Sequence, residues 1–372
     1  MKILLDPQIF YKQSFGGISR LFTELLSRYK AFGDDITIEC PLPFHQNIHL
    51  MDKGLLKPTF FNKFLVDSKF RGVERLRRIF LSYQQQTIAR LKSKKTTIFI
   101  PTFYDDYYVD FLIGKKLVLT VHDMTSERYP DFFKDVSQVG IHKKTLMERA
   151  DRIVVVSNNT KKDILFYYPH IEEEKIRVIH LSQSIDTDKI KKLENVPKKY
   201  ILFVGNRYHY KNYSFFIAAI SQLLQNTADL FVVCAGGGEF EEAEKKQLSE
   251  LGLSDQVLQY DFTDDELGSY YANAQLFVFP SLYEGFGIPV LEAMTCGCPI
   301  VLSNQSSFPE VAGDAGIFFE IGNSQDLLTK VETVLNNPDF RQKYIDAGLQ
   351  RSKMFSWDKT VHQYVDVLKE VM

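Results

Sequence analysis

Cysteine is scarce in this 372-residue chain, limited to Cys40, Cys234, Cys296 and Cys298. Four scattered thiols exclude a disulfide framework at this length. Cys296 and Cys298 flank one glycine, but they lack the two further ligands of a zinc site. An excess of charge of one sign is missing too. A net charge of −2 argues against a nucleic-acid partner held by a global positive field. No apolar run approaches the ~20 residues that span a bilayer. The start MKILLDPQIF lacks the apolar centre and small-residue cleavage site of a signal peptide, so the expected location is the cytoplasm, at most on the inner face of a membrane. Short-period repeats and low-complexity tracts are absent. Tryptophan occurs once, against 30 Phe and 19 Tyr. That excess of rings suits stacking or interface contacts as well as core packing.

What is present is a regular alternation. Strand-length apolar runs, KILLD, TTIFIP, KLVLTVHD, RIVVVS, IRVIHL, YILFVG, LFVVCAG, QVLQY, QLFVFP, PIVLS and GIFFE, alternate with helical patterns such as ISRLFTELLSRY and KNYSFFIAAISQLL. Continuous Val/Ile/Leu/Phe runs between helices indicate parallel strands buried on both faces. There are enough of them for two doubly wound α/β sheets. A chain this long also exceeds the roughly 250 to 300 residues at which single cores stop growing. The natural boundary is the polar, lysine-rich stretch 182–199. Two such sheets bind ligands outside the carboxyl ends of their strands, and the chemistry is expected in the cleft between them.

Several residues stand at those strand ends. Gly16 and Gly17 open a helix after the first strand, where backbone amides suit a phosphate, although plain turn chemistry accounts for them equally well. His122 and Asp123 end KLVLTVHD. A neutral imidazole there can serve a sugar hydroxyl or a developing charge, with Asp123 fixing its tautomer or capping the next segment. Arg207 and Lys211 follow YILFVG, with Asn212 expected to cap the next helix. Cations are electrostatically wrong for a helix start, and a diphosphate there would reverse that misfit. In SLYEGFGIPVLEAMTCGCPIV, Glu284 is expected in a loop and Glu292 in the first turn of a helix beginning near Pro289. Gly285 and Gly287 expose amides between them. A carboxylate in the first turn also complements the helix dipole, which does not account for Glu284 or the glycines. Asp186-Thr187-Asp188 spells a metal-dependent transferase pattern, but it falls in the expected hinge, and no metal or other cofactor is expected.

Local charge is concentrated in one place. Residues 57–95 carry 11 Lys or Arg against Asp67 and Glu74, threaded with Phe60, Phe61, Phe64, Phe70 and Phe80. A basic, aromatic segment on a near-neutral chain points to an anionic membrane surface. A solvated helix pair with one core face is the competing reading.

The quoted glutamate stretch closely resembles the signature of glycosyltransferase family 4, the group 1 glycosyltransferases, which are retaining enzymes of the GT-B fold with two Rossmann-like domains. FGGISRLFTEL, IPTFY, VHDM, ERADRIVVVSNNTKKDI, VGNRYHYKN, CAGGGEFEEAEKKQLSELGL, DDELGSYYANAQLFVFPS, SSFPEVAGDAGIFFE and FSWDKT resemble the same family in the same order. The resemblance implies an acceptor-side domain over 1–186, a nucleotide-sugar-binding domain over 187–354, and a C-terminal helix, 355–372, packing back onto the first. It implies that Glu292 holds the donor ribose, Glu284 the transferred sugar, and Arg207 and Lys211 the diphosphate. Gly16 and Gly17 would approach the same phosphates, and His122 would lie near the reacting sugar. Gly285, Phe286, Gly287, Ile288, Val290 and Leu291 would complete the donor site. The chain departs from the family pattern at Tyr210, where many relatives have Arg, and at Asp261, where they often have Gly. The segment 41–95 matches nothing specific.

The implied reaction moves a hexose, with mannose weakly favoured, from a nucleotide diphosphate sugar to a glycan or polyprenyl-linked glycan in surface-polysaccharide assembly, with retention and without a metal. A nucleotide-sugar epimerase, a phosphorylase or a non-catalytic partner subunit of the same fold are the alternatives.

Overall fold

The computed structural model describes all residues except 33–35, 58, 68–72, 74–75, 77–80, 94–95 and 133–136. The chain divides into two units, Met1–Leu181 with Trp357–Met372, and Ser182–Ser356. The expected crossing at 186 thus moves back to Leu181, and the return comes at Trp357 rather than 355.

In the first unit the strands β1 (Lys2–Asp6), β2 (Thr37–Glu39), β3 (Ile98–Pro101), β4 (Lys116–Val121), β5 (Arg152–Val155) and β6 (Ile176–Val178) form one sheet ordered β2-β1-β3-β4-β5-β6. In the second, β7 (Tyr200–Val204), β8 (Phe231–Ala235), β9 (Val257–Tyr260), β10 (Leu276–Phe279), β11 (Ile300–Ser303) and β12 (Gly316–Phe319) are ordered β12-β11-β10-β7-β8-β9. The strand pairs are parallel, for example β1 with β3 through Ile3 and Ile98, and β10 with β7 through Leu276 and Ile201. Strand order reverses at β1/β3 in one sheet and at β10/β7 in the other, which in doubly wound folds is where ligands bind. The apolar runs explain the sheets: β7, β10 and β11 are buried along their whole length.

The helix Trp357–Glu370 belongs to the first unit through side chains far away in sequence. Its Tyr364 hydroxyl is 2.7 Å from Thr120 Oγ1 on β4, Thr360 Oγ1 donates to His180 O at 2.7 Å, and Glu370 pairs with Arg152 and Arg177 at 2.9 and 2.8 Å. Among the described residues no helix is long and apolar enough to cross a membrane. The basic segment 57–95 contains the helices Phe60–Asp67 and Tyr83–Leu91, with Phe60 88% exposed. Residues 58, 68–72, 74–75, 77–80 and 94–95 of that segment, Phe70 and Phe80 among them, lie outside the described residues.

Candidate functional site

In the second unit the chain beyond β10 runs through Ser281–Gly287 into the helix Ile288–Thr295, whose N-cap Gly287 is left-handed at φ 93° and whose first turn holds Pro289. A Cβ at Gly287 would stand 3.1 Å from the Phe308 ring, so glycine serves both the turn and the close packing here. Serines at the end of β11 and just beyond it fasten this loop. Ser303 Oγ donates to Ser281 O at 2.7 Å, Ser306 Oγ to Glu284 O at 2.5 Å, and Ser307 Oγ to Glu284 O at 3.0 Å and Phe286 O at 2.8 Å. Ser306, at φ 56°, accepts in turn from Glu284 N at 3.1 Å.

Beyond β7 a short turn, His209–Lys211, carries Lys211 toward the same loop, and Leu282 N donates to Tyr210 O at 2.8 Å. Lys211 Nζ meets Glu284 Oε1 at 2.6 Å, with both side chains 16% exposed. The ammonium also lies over the Tyr210 and Phe279 rings at 5.2 and 5.3 Å. The structure therefore joins Lys211 and Glu284 at the β10/β7 switch point.

Arg207 is placed differently from the expectation. Its Nε donates to Glu244 Oε1 at 2.7 Å, Nη1 to Gly236 O at 3.2 Å, and Nη2 to Gly238 O and Glu239 O at 3.0 Å each. The side chain is 3% exposed, and the guanidinium lies 4.8 Å over the Phe240 ring. All three guanidinium nitrogens are thus bonded within the protein. They hold the loop Gly236–Gly238, whose φ angles of 75°, 79° and 74° only glycine adopts readily. A Cβ at Gly237 would stand 2.5 Å from Gly205 O. In this structure Arg207 shapes a loop rather than presenting a free cation.

Glu292 is 6% exposed and accepts from Tyr271 OH at 3.1 Å. It follows the first turn of the Ile288–Thr295 helix rather than lying in it, because the helix begins at Ile288. Val290 and Leu291 are core residues at 0% exposure and present no surface to a ligand; Phe286 is buried and Ile288 half-buried. Asn212 stands at the N-cap of the helix Tyr213–Gln225 in left-handed geometry, φ 58°, without a side-chain capping bond, so the expected cap is corrected to a backbone turn. Asp186 accepts from Asp188 N at 3.1 Å, using the first carboxylate of the Asp-Thr-Asp run as a local cap.

In the first unit, His122 follows β4 and is 8% exposed, packed against Phe22 at 6.0 Å and Tyr104 at 6.2 Å. Burial pushes its pKa down to about 4, against the pull of Asp123, so the ring is neutral near pH 7. Its Nε2 is buried with no hydrogen-bond partner among the described residues. A buried ring nitrogen ordinarily has a hydrogen-bond partner. Burial works to raise the Asp123 carboxyl, but the Lys143 ammonium and bonds from Thr125 hold it below the usual range. Asp123 caps the next segment, accepting from Thr125 N at 2.9 Å. Lys143, which the sequence did not single out, is 1% exposed and donates to Asp123 O at 3.1 Å and Glu127 Oε2 at 2.9 Å. Gly16 and Gly17 begin the helix Gly17–Arg28; the Gly16 amide, at φ 150°, donates to His49 Nε2 at 3.3 Å. That bond accounts for the Gly16 amide within the protein.

Comparisons with known proteins fit these elements. Residues 184–351 match the model described as glycosyl transferases group 1, and residues 15–188 the model described as Glycosyltransferase Family 4. Over 287 residues the chain is 30% identical to O-antigen chain mannosyltransferase B of Escherichia coli, covering 72% of this chain and 73% of that protein. This chain belongs to the family 4, group 1 glycosyltransferases. The glycosyltransferase is also 30% identical to the serotype-specific mannosyltransferase WbdA of Escherichia coli, over 68% of this chain but only 33% of that longer protein. The fold is GT-B, shared with solved structures. Anabaena HepE, solved with UDP and glucose, superposes at a TM-score of 0.75 with 17% identity over 99% of both chains. Sucrose-phosphate synthase from Thermosynechococcus elongatus superposes at 0.73 with 17% identity over 100% of this chain and 98% of that one.

Proposed function

We propose that this glycosyltransferase moves a hexose of the mannose type from a nucleotide diphosphate sugar to a glycan or polyprenyl-linked glycan, with retention at the anomeric carbon, in surface-polysaccharide assembly. The observation that carries the reading is the Lys211–Glu284 pair, 2.6 Å apart at the sheet's switch point. The donor's leaving group is an anion, and a single largely desolvated ammonium there stabilises the charge that develops as the bond from the anomeric carbon to the phosphate oxygen breaks. When Lys211 turns to the diphosphate, Glu284 is released to accept bonds from the sugar hydroxyls. The departing phosphate oxygen takes the acceptor hydroxyl's proton on the same face while the new bond to the anomeric carbon forms. No protein base and no metal take part. Arg207 acts one step removed, by holding the Gly236–Gly238 loop. Glu292 takes the ribose and His122 Nε2 a sugar hydroxyl.

Support for the mannose type and for polysaccharide assembly comes from the relatives, which include an O-antigen chain mannosyltransferase. The test incubates purified protein with GDP-mannose and an O-antigen primer and reads the product's anomeric configuration by NMR. An α-linked product formed equally well in EDTA is expected. An inverted linkage, an isomerised donor, phosphate-dependent release, or activity lost in EDTA and restored by manganese would each contradict part of the reading. Co-flotation with anionic liposomes checks the membrane expectation for residues 57–95; binding that ignores salt would reject it.

A further inference from the structure

One buried cation takes no part in the proposed reaction, and it fastens the segment that follows β4. Lys143, on the helix Ser137–Arg149, is 1% exposed. Its Nζ donates to Asp123 O at 3.1 Å, to Ser126 Oγ at 3.2 Å and to Glu127 Oε2 at 2.9 Å. All three acceptors lie within residues 123–127, immediately after His122. Glu127 extends the grip, since its Oε1 accepts from Tyr168 OH at 3.4 Å, just beyond the helix Asn158–Tyr167. The ammonium also lies 5.3 Å from the centre of the Tyr104 ring, whose hydroxyl accepts from His122 N at 2.9 Å. Lys143 thus touches both supports of the histidine, the turn after it and the tyrosine that holds its main chain.

Desolvating an ammonium is expensive, and a well-packed apolar side chain of similar volume often serves stability as well or better. Stability alone therefore does not select a lysine here. What an apolar residue could not do is bind three acceptors at once and fix the path of the turn.

That turn governs one ring. The His122 ring bonds to the main chain of Thr102, while its Nε2 is buried with no hydrogen-bond partner among the described residues. A carbonyl accepts only from an N–H, so the proton sits on Nδ1 and Nε2 carries a lone pair. Burial keeps the ring neutral, and the Lys143 charge works with burial against the pull of Asp123. A lone pair can accept from a hydroxyl in one direction only while the strand end keeps its geometry.

We propose that Lys143 is a positioning residue of the transfer reaction, holding residues 123–127 and Tyr104 so that His122 Nε2 accepts from a hydroxyl of the transferred sugar. The proposal rests on the transferase reading and adds the device that sets the histidine. Lys143 itself touches no substrate.

The test uses the full-length protein and two variants. Lys143→Met keeps the volume and loses the charge and donors; Lys143→Met with Glu127→Gln also removes the acid left unpaired, and carries the measurement should the single variant not fold. Melting temperatures check folding. Imidazole ¹⁵N NMR of the wild type is expected to show His122 with its proton on Nδ1, and the variants a mixture of tautomers. In the transfer assay with GDP-mannose, kcat is expected to fall about tenfold with the donor KM held within about twofold. On a His122→Ala background the same substitutions should change kcat by less than about twofold, because a residue acting through the ring has nothing left to set. An unchanged His122 signal in a folded variant, or a kcat loss that persists in full without His122, would overturn the assignment. The two readings fail separately. A wild type that transfers no hexose counts against the transferase reading, and the NMR comparison, which needs no turnover, still decides whether Lys143 sets His122. Transfer that depends on His122 but not on Lys143 rejects only the positioning role.

Discussion

The two units share a six-stranded parallel sheet with the strand order reversed beside the first strand of each, yet they equip that reversal in opposite ways. In the second unit the switch point is charged and tightly fastened: Lys211 faces Glu284, and the loop bearing the glutamate is held by serine hydroxyls at 2.5 to 3.0 Å. In the first unit the strand end is a buried acid, Asp6, bonded by the hydroxyl of Tyr107. One topology therefore supplies two chemistries, because the side chains on the connecting loops are free to differ while the strands are committed to the core. A partner that leaves as an anion is suited to the first arrangement.

The contrast can be broken where it is most strongly built. Arg207→Ala leaves the half-buried Glu244 without its cation and three carbonyls of the glycine loop without their donor, a loss of about 3 kcal/mol. The melting temperature of the protein should fall accordingly, and Arg207→Lys should not restore it, because an ammonium lacks the planar fork that serves Glu244 and three carbonyls together. A variant melting with the wild type would remove Arg207 from the loop's support. Lys211→Ala should lower kcat/KM by roughly 10²-fold, about 2.7 kcal/mol, with the melting temperature changed far less; unchanged kinetics would take the lysine out of the reaction.

Asp6 offers a pH test of the other unit. Burial pushes its pKa from 3.8 to about 7, so between those values the folded chain holds a proton that the unfolded chain has released. Stability from this group is therefore present below about pH 4 and lost as pH rises toward 7, with a limiting slope of about 1.4 kcal/mol per pH unit. His122 works in the opposite sense between 6.5 and about 4, because the unfolded ring protonates first. Comparing wild type with Asp6→Asn cancels the histidine contribution: the wild type should lose stability relative to the variant as pH rises through this window. Parallel melting curves from pH 4.5 to 7.5 would show that the carboxyl titrates normally. The smallest effect is expected from Ser307→Ala, about 1 kcal/mol of stability for the hydrogen bonds lost, visible as a slightly lower melting temperature together with a lower kcat. Loss of stability alone would make Ser307 a purely structural residue.

The apolar runs marked eleven of the twelve strands before any coordinates, since most are buried stretches whose composition has few other uses, β6 and β9 being half-exposed. The missed one, β2, is a three-residue edge strand with exposed ends and carries no such run. Lys211 and Glu284 could be singled out by residue type and strand-end position. The partner of Arg207 could not, because Glu244 lies 37 residues further on and meets it only after the helix Glu242–Glu250 has docked. Ser306 is 22 residues from the glutamate it supports and reads locally as an ordinary turn serine. The same holds for Lys143, which looked like one more polar helix residue and is buried under the segment that follows His122. What escaped the sequence was pairing across the fold, where residue type alone does not say which neighbour a side chain finds.

The Lys211–Glu284 contact also bears on how fast a donor is captured. A lysine already matched by a carboxylate projects little net field beyond its own loop, so an incoming diphosphate gains little long-range attraction and must displace Glu284 at short range. Capture would then be paced by an exchange of partners inside the site rather than by diffusion toward a bare cation, and its rate would vary little with ionic strength.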